Sequence, residues 1–347
     1  MPPDAEKGEN NMNKMTAIMA AIALSATATV GLYGCGGEKE GEALKVFAPD
    51  GAPALSVARL YEGELAEKFD VNIVDANTIQ TYVSGENAQA DIAIMPVNAA
   101  VKLLGSGDKY KMLGTVTHGN LYILKKATGE EITSSNLSSL VGKTVGVINL
   151  ANVPGLTFKA ILADNDLEFN ELKDGAEAAA DKVNLKAIDA AEAVPTNADC
   201  DYFVVPEPAA STKVSVTGGK LSFAGDLQEL YEGGEGYPQA VAVAKTSVST
   251  DDITAFIDTF DDTKTWLMDV NTSAGTIVSA VNSLMYKADY VSTLTANTLT
   301  RTVIENSGIG FVTASESKAD VLAYMSKINS VASSSFGTPT DAFFYTV

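Results

Sequence analysis

His118 is the one histidine in 347 residues, and it sits in "VTHGNLY". An imidazole moves protons in catalysis only beside a nucleophile or carboxylate, within hydrogen-bond reach. No such neighbour is legible along the chain. Two readings stay open for it: a residue lining a cleft, or a structural polar group. Ser315 and Lys318, in "SESK", match the S-x-x-K spacing of an acylated serine with a nearby lysine. The companion motifs of that chemistry are missing, and the stretch opens an amphipathic run. Helix capping is the expected role. Residues 164–168, "DNDLE", carry carboxylates at spacings that could suit a divalent cation. The glycine and terminal glutamate of a calcium loop do not follow, so a solvated helix end is expected. No G-x-S-x-G elbow, Walker loop or H-E-x-x-H occurs. One histidine and two cysteines are too few for a structural zinc site. The sequence therefore predicts no catalytic activity, no metal and no cofactor.

Four polar or backbone-exposing turns have a better claim to function. Asp50, Gly51 and Ala52 lie in "APDGAP". Pro96, Val97 and Asn98 lie in "MPVNAA". Ala151, Asn152 and Val153 lie in "NLANVPG", and Glu207 lies in "VPEPAA". Each stands where a strand-like run passes into a helix-like one. Open α/β sheets bind ligands at such places, because free N–H groups and the positive end of the helix dipole point there. Gly and Pro in such turns also serve geometry alone, so the weight comes from four turns together. Asn152 is expected to cap a helix carrying Pro154 in its first turn. Glu207 stands between two prolines, which stiffen the turn and fix where the carboxylate points. A cationic solute would donate a charge-assisted hydrogen bond to it.

The elements that hold these turns follow from hydrophobic periodicity. "LKVFAP", "VNIVDA" and "ADIAIMP" read as strands, and residues 50–69 and 97–104 as helices. "YKMLGTVTH" and "NLYILKK" read as longer strands meeting near His118 and Gly119. A second series follows: strands "KTVGVIN", "VNLKAI" and "YFVVP", with a helix over 153–166. After "GGEGYPQAVAVAK" the pattern is almost all helix. One apolar face carries Ile253, Phe256, Ile257, Phe260 and Leu267; another carries Val321, Met325, Ile328 and Val331. Alternating strands and helices predict βαβ units with parallel sheets. The final helices have no sheet of their own and are expected to pack on the first unit. The chain then crosses between two lobes at least twice, near residues 114–120 and 236–242, leaving a hinged cleft.

The totals exclude one class of partner. Acidic residues outnumber basic ones 44 to 24, for a net charge of -20, so no nucleic acid is expected. Hydrophobic residues make up 46 per cent, enough for a large core. From Met15 to Tyr33 the sequence carries no charge. That run suits the apolar part of a secretion signal, and Met12 makes a better start than Met1, leaving the first eleven residues as a start-site artefact. A membrane anchor is the competing reading, although Ala, Thr, Ser and Gly make the run weakly apolar for it. Its last residues, "LYGC" at Leu32 to Cys35, resemble a bacterial lipobox. That resemblance implies a lipid on the Cys35 thiol and a membrane-anchored, extracytoplasmic protein. Residues 1–35 would be the signal and 36–43 a Gly/Glu-rich tether. Cys200 is then left without a disulfide partner; a Cys35–Cys200 bridge is the alternative.

Longer blocks carry a second resemblance. "ADIAIMPVNAAVKL", "YKMLGTVTHGNLYIL", "GKTVGVINLANVPGLTFKAIL", "YFVVPEPAA", "ENSGIGFV" and "TPTDAFFY" resemble ABC-transporter solute-binding proteins, in the nitrate/taurine/sulfonate and thiamine-pyrimidine-precursor group. The likeness implies an α/β, two-lobed periplasmic-binding-protein-like fold of type II. Lobe I would hold residues 44–116 and 240–347, and lobe II residues 117–239. It implies a monomer that closes on a small-molecule solute and delivers it to a membrane permease. Carried over by position, Asp50, Gly51, Ala52, Pro96, Val97, Asn98, His118, Gly119, Asn120, Ala151, Asn152, Val153 and Glu207 would line the cleft. "AEAVPTNADCDYF" departs from the pattern, with Pro195 where a short helix would continue. An enzyme on the same fold is the alternative from another class, and a lipoprotein adhesin a third.

Overall fold

The computed structural model describes residues 42–346, apart from 87, 174, 189–198, 232, 233, 235, 288, 289 and 333–335. Cys35, the signal segment and Pro195 lie outside these residues. Short apolar runs build two six-stranded sheets. The first sheet uses β1 (Leu44–Pro49), β2 (Phe69–Val74), β3 (Ile92–Pro96) and β4 (Tyr110–Thr117). The second uses β5 (Leu121–Lys126), β6 (Thr144–Ile148), β7 (Phe169–Leu172), β8 (Val183–Ile188), β9 (Tyr202–Pro206) and β10 (Leu221–Asp226). The chain then returns to the first sheet with β11 (Ala240–Lys245) and β12 (Ile309–Thr313). The orders are β12-β4-β11-β3-β1-β2 and β10-β5-β9-β6-β8-β7. Strand β1 runs parallel to β2 and β3, and β6 parallel to β8 and β9. Strands β5 and β11, which enter each sheet after a crossing, pair antiparallel with their neighbours. The α/β, two-lobed architecture is the expected one, but the sheets are not purely parallel: β4, β5, β10, β11 and β12 make antiparallel pairs, where the alternating pattern predicts parallel sheets.

Helices cover both faces of each sheet. In the first lobe these are α1 (Ala52–Ser56), α2 (Glu64–Lys68), α3 (Ile79–Val83) and α4 (Val97–Leu104). In the second they are α5 (Val153–Asp164), α6 (Ala209–Val216) and α7 (Leu227–Leu230). After β11 come α8 (Thr250–Met268), α9 (Ala274–Ser283), α10 (Arg301–Asn306) and α11 (Ala314–Val331). Ile253, Phe256, Phe260 and Leu267 of α8 are buried with Val46, Ile94 and Ala242 on one face of the first sheet. Burying each such side chain stabilises by about 1.5–3 kcal/mol. A second cluster spans both lobes, from Phe47 and Met95 to Val145 and Val204, with Tyr237 and Tyr324 inside it. Helix α11 contributes Val321, Met325 and Ile328 there. The remaining face of the second sheet packs Phe203 and Val205 beneath α6.

Two further expectations need correction. Residues 50–69 are not one helix. Gly63 takes φ 81, and Glu62 before it is extended, so the chain breaks into α1, a 3-10 turn at Ala58–Tyr61, and α2. Apolar spacing continues across the break, which hides it. The C-terminal segment is also not purely helical, since β12 pairs with β4 at the edge of the first sheet. Elsewhere the capping of α11 falls two residues earlier than Ser315. Thr313 accepts from the Glu316 N–H, and Glu316 reaches back to the Thr313 N–H, a reciprocal box. Among the described residues no helix is long and apolar enough to cross a membrane.

Candidate functional site

The register brings one edge of each sheet to the crossings. Ala240 pairs with both Pro96 and Thr117 in the first sheet. Leu121 pairs with Pro206 in the second, and Val147 with Val204. The chain leaves the first sheet after Thr117 through His118, Gly119 and Asn120, and returns just before Ala240. The turns after β3, β6 and β9 therefore all lie at the sheet ends that the crossings join.

Asn120 is the centre of this junction. It is 3% exposed. Its backbone C=O accepts from the Glu207 N–H at 2.8 Å, and its Nδ2 donates to the Glu207 C=O at 3.1 Å. Gln239, on the returning segment, donates Nε2 to Asn120 Oδ1 at 2.6 Å. The Gln239 C=O accepts from the Val97 N–H at 3.0 Å. Val97, Asn120 and Glu207 are thus joined through one residue that no sequence motif marked. Gln228 is a second unmarked strut. Its Oε1 accepts from the Leu121 N–H at 2.9 Å and from Tyr237 Oη at 3.0 Å, tying both crossings together.

Peptide groups meet closely here. The His118 N–H donates to the Gly308 C=O at 2.9 Å. Gly308 has φ +65, and a Cβ on it would stand 2.0 Å from the Gly119 C=O oxygen. Only glycine satisfies both conditions. The His118 ring hydrogen-bonds the Gly310 backbone, with Asp320 and Lys264 nearby. Its Nε2 is buried without a partner. Burial pushes this imidazole down, against the Gly310 bond, so it is neutral at pH 7.

The two carboxylates are both engaged. Glu207 is 2% exposed, and its oxygens accept from Ser211 N at 3.0 Å and Ser211 Oγ at 2.6 Å. Burial pushes its carboxyl up, and the Ser211 bonds pull the other way. Asp50 accepts from Ser292 Oγ at 2.6 Å, and from Thr293 N and Oγ1, each at 2.7 Å. Gly51 starts α1 with φ 97, and Ala52 is buried. Pro96 is half-buried, and Asn98 is buried with Oδ1 unpartnered. Asn152 stands at the N-cap of α5, as expected, yet its side chain makes no capping bond. Ala151 is exposed and Val153 buried.

A recess of about 570 Å³ opens beside this junction. The second lobe supplies Tyr122, Ser211, Phe223 and the carboxylates of Glu131, Asp226 and Glu229, and α10 closes it with Val303 and Asn306. Tyr122 meets Phe223 edge-on, with ring centres 5.6 Å apart. The Tyr122 hydroxyl donates to the Asn306 C=O at 3.3 Å. Asp226 caps α7 through the Gln228 and Glu229 N–H groups, and burial pushes its carboxyl up. Among the described residues no lysine, arginine or histidine lines the recess, although Lys125 pairs with its Glu131. None of the turn residues predicted from sequence lines it either; Ser211, bonded to Glu207, is the link.

The overall fold recurs in solved structures. An ABC transporter protein from Parabacteroides distasonis superposes with a TM-score of 0.67 at 18% identity, covering 88% of this chain and 99% of its own. The periplasmic aliphatic sulphonate-binding protein SsuA from Escherichia coli gives 0.58 at 12% identity, covering 88% and 92%. The alkanesulfonate-binding protein SsuA from Xanthomonas axonopodis pv. citri, bound to MOPS, gives 0.52 at 13% identity, covering 83% and 93%. The chain has the fold of ABC-transporter solute-binding proteins. No family model matches it, and no curated protein matches it in sequence.

On this solute-binding-protein fold, the residues missed from sequence are Gln228, Gln239 and the lining of the recess. That lining runs from Tyr122 to Asn306 along the chain, so no local motif could assemble it. Gln239 had one weak signal, its place in the returning segment between Pro238 and β11.

Proposed function

We propose that this protein is the extracytoplasmic solute-binding component of an ABC importer, without catalytic activity of its own. The observation that carries this reading is a solute-sized recess, lined from both lobes, beside two pinned crossings. Its lobes are residues 44–116 with 240–347, and 117–239. The turns at Asp50, Pro96, His118, Ala151 and Glu207 frame the interlobe cleft, and the recess is its built portion. The carboxylates of Asp226 and Glu229 and two aromatic rings favour a solute bearing an amine, which rings and carboxylates both attract; the third carboxylate, Glu131, is already paired with Lys125. The monomer closes on the solute by a population shift and presents the closed form to a permease. A lipid on Cys35 holds it at the membrane; Cys35→Ser should abolish lipid labelling, and unchanged labelling would remove the anchor from the account.

A thermal-shift panel of small amines, aminopyrimidines, alkanesulfonates and nitrate tests the solute reading. A true solute at a hundred times its dissociation constant stabilises by about 2.7 kcal/mol. A panel in which nothing shifts the protein would count against solute capture. A panel in which sulfonates alone shift it would keep the capture and overturn the amine.

A further inference from the structure

A segment rich in hydroxyls, residues 291–300, runs between α9 and α10 from one lobe towards the other. Leu294 and Leu299 root it in the core of the first lobe. Asp50, at the end of β1, grips its start through Ser292 and Thr293 with three hydrogen bonds of 2.6–2.7 Å. Its other end reaches the second lobe. Thr298 Oγ1 lies 2.9 Å from Thr212 Oγ1 of α6, and 2.6 Å from Thr295 Oγ1. Thr212 Oγ1 in turn donates to the Pro208 C=O at 3.2 Å.

A hydroxyl has one proton to give. In one order Thr212 donates to Pro208, Thr298 to Thr212 and Thr295 to Thr298; in the other Thr212 donates to Thr298, whose proton goes to the Thr295 C=O at 3.4 Å. The Thr298–Thr212 bond is made in either order. Thr298 is 9% exposed and Thr212 half-buried, so the bond is partly shielded from competing water. Ser211 and Thr300, close to the bonded pair on either side, both line the recess. The bonded pair itself does not line the recess, but its chain neighbours do.

We propose that this segment is a latch. The Thr298–Thr212 bond holds the two lobes in the arrangement seen here, and Asp50 is a positioning residue that keeps the strap presented to α6. This gives Asp50 a part in closure and none in contacting solute.

The test is an interlobe distance. Glu67 in the first lobe and Asp181 in the second are exposed. Spin labels on Glu67→Cys and Asp181→Cys, in the full chain carrying Cys35→Ser, report the separation without any solute. Cys200 is buried and stays unlabelled. Thr298→Val and Thr212→Val keep the side-chain shape and remove the bond. Each should move the ratio of near to far populations towards far by roughly two- to tenfold, as the loss of one hydrogen bond implies. The double variant should add nothing to either single one. Thr298→Ser, which keeps the hydroxyl, should restore the original distribution. Asp50→Asn should shift it in the same direction. Distances unchanged in Thr298→Val and Thr212→Val would overturn the latch. A shift in those two, with Asp50→Asn altering only the melting temperature, would overturn the role given to Asp50.

Discussion

Glu207 shows how a residue can be found correctly and still be given too simple a part. Its position between two prolines pointed to a fixed carboxylate, and the carboxylate is fixed, by Ser211 in its own helix turn. The sequence could not show that partner's geometry, because a hydroxyl four residues on has many other places to point. The consequence is a pH dependence. Burial raises the folded pKa of Glu207. Between the ordinary carboxylate value and that raised value, the folded state binds the proton more tightly than the unfolded chain. Stability from this group is therefore fullest below the ordinary value and is lost as pH rises through the folded pKa. Glu207→Gln cannot ionise, so its stability relative to wild type should improve as pH rises above the ordinary carboxylate range, read by urea unfolding at each pH. A difference independent of pH would show that burial does not act on this carboxyl. Asn120 was legible from its place in "THGN". Its partner Gln239 was not, because its place in the returning segment says nothing of an amide pairing with a residue more than a hundred positions away.

Central elements were easier to read than edges. Runs such as "VNLKAI" and "YFVVP" coincide with β8 and β9, since strands buried on both faces are continuous apolar stretches. Of the strands that escaped notice, β7, β10 and β12 stand at the edge of a sheet, whereas β11 is central and was passed over within the returning segment. An edge strand meets one neighbour and keeps polar side chains, so its pattern is faint. The break at Gly63 escaped for a related reason, because the apolar positions on both sides belong to the same buried face. Helix starts carry their own chemistry. Thr313 and Glu316 satisfy each other's backbone donors at the head of α11, which packs against both sheets' shared core. Thr313→Ala should cost about 0.5–2 kcal/mol, measured by chemical denaturation, and Ser315→Ala less. The reverse order would restore Ser315 as the capping residue.

Across the whole molecule, the order of strands along the chain already implied two lobes with more than one passage between them. It could not reveal that α11 also touches the second lobe, where Thr157 Oγ1 meets Tyr324 Oη at 2.6 Å. Any motion must therefore turn around a bundle of crossings and one helix. A solute identified by thermal shift should narrow the distribution of radii seen by small-angle scattering and reduce the mean. A verified solute that leaves the profile unchanged would favour a preorganised receptor over a closing one. Where that bundle is tightest, at Gly308 and Gly119, main chain presses on main chain. Atoms common to every amino acid form this contact, so exchanging side chains around it can neither pad it nor trim it. The recess and the strap can change their side chains while the backbone contact stays as it is.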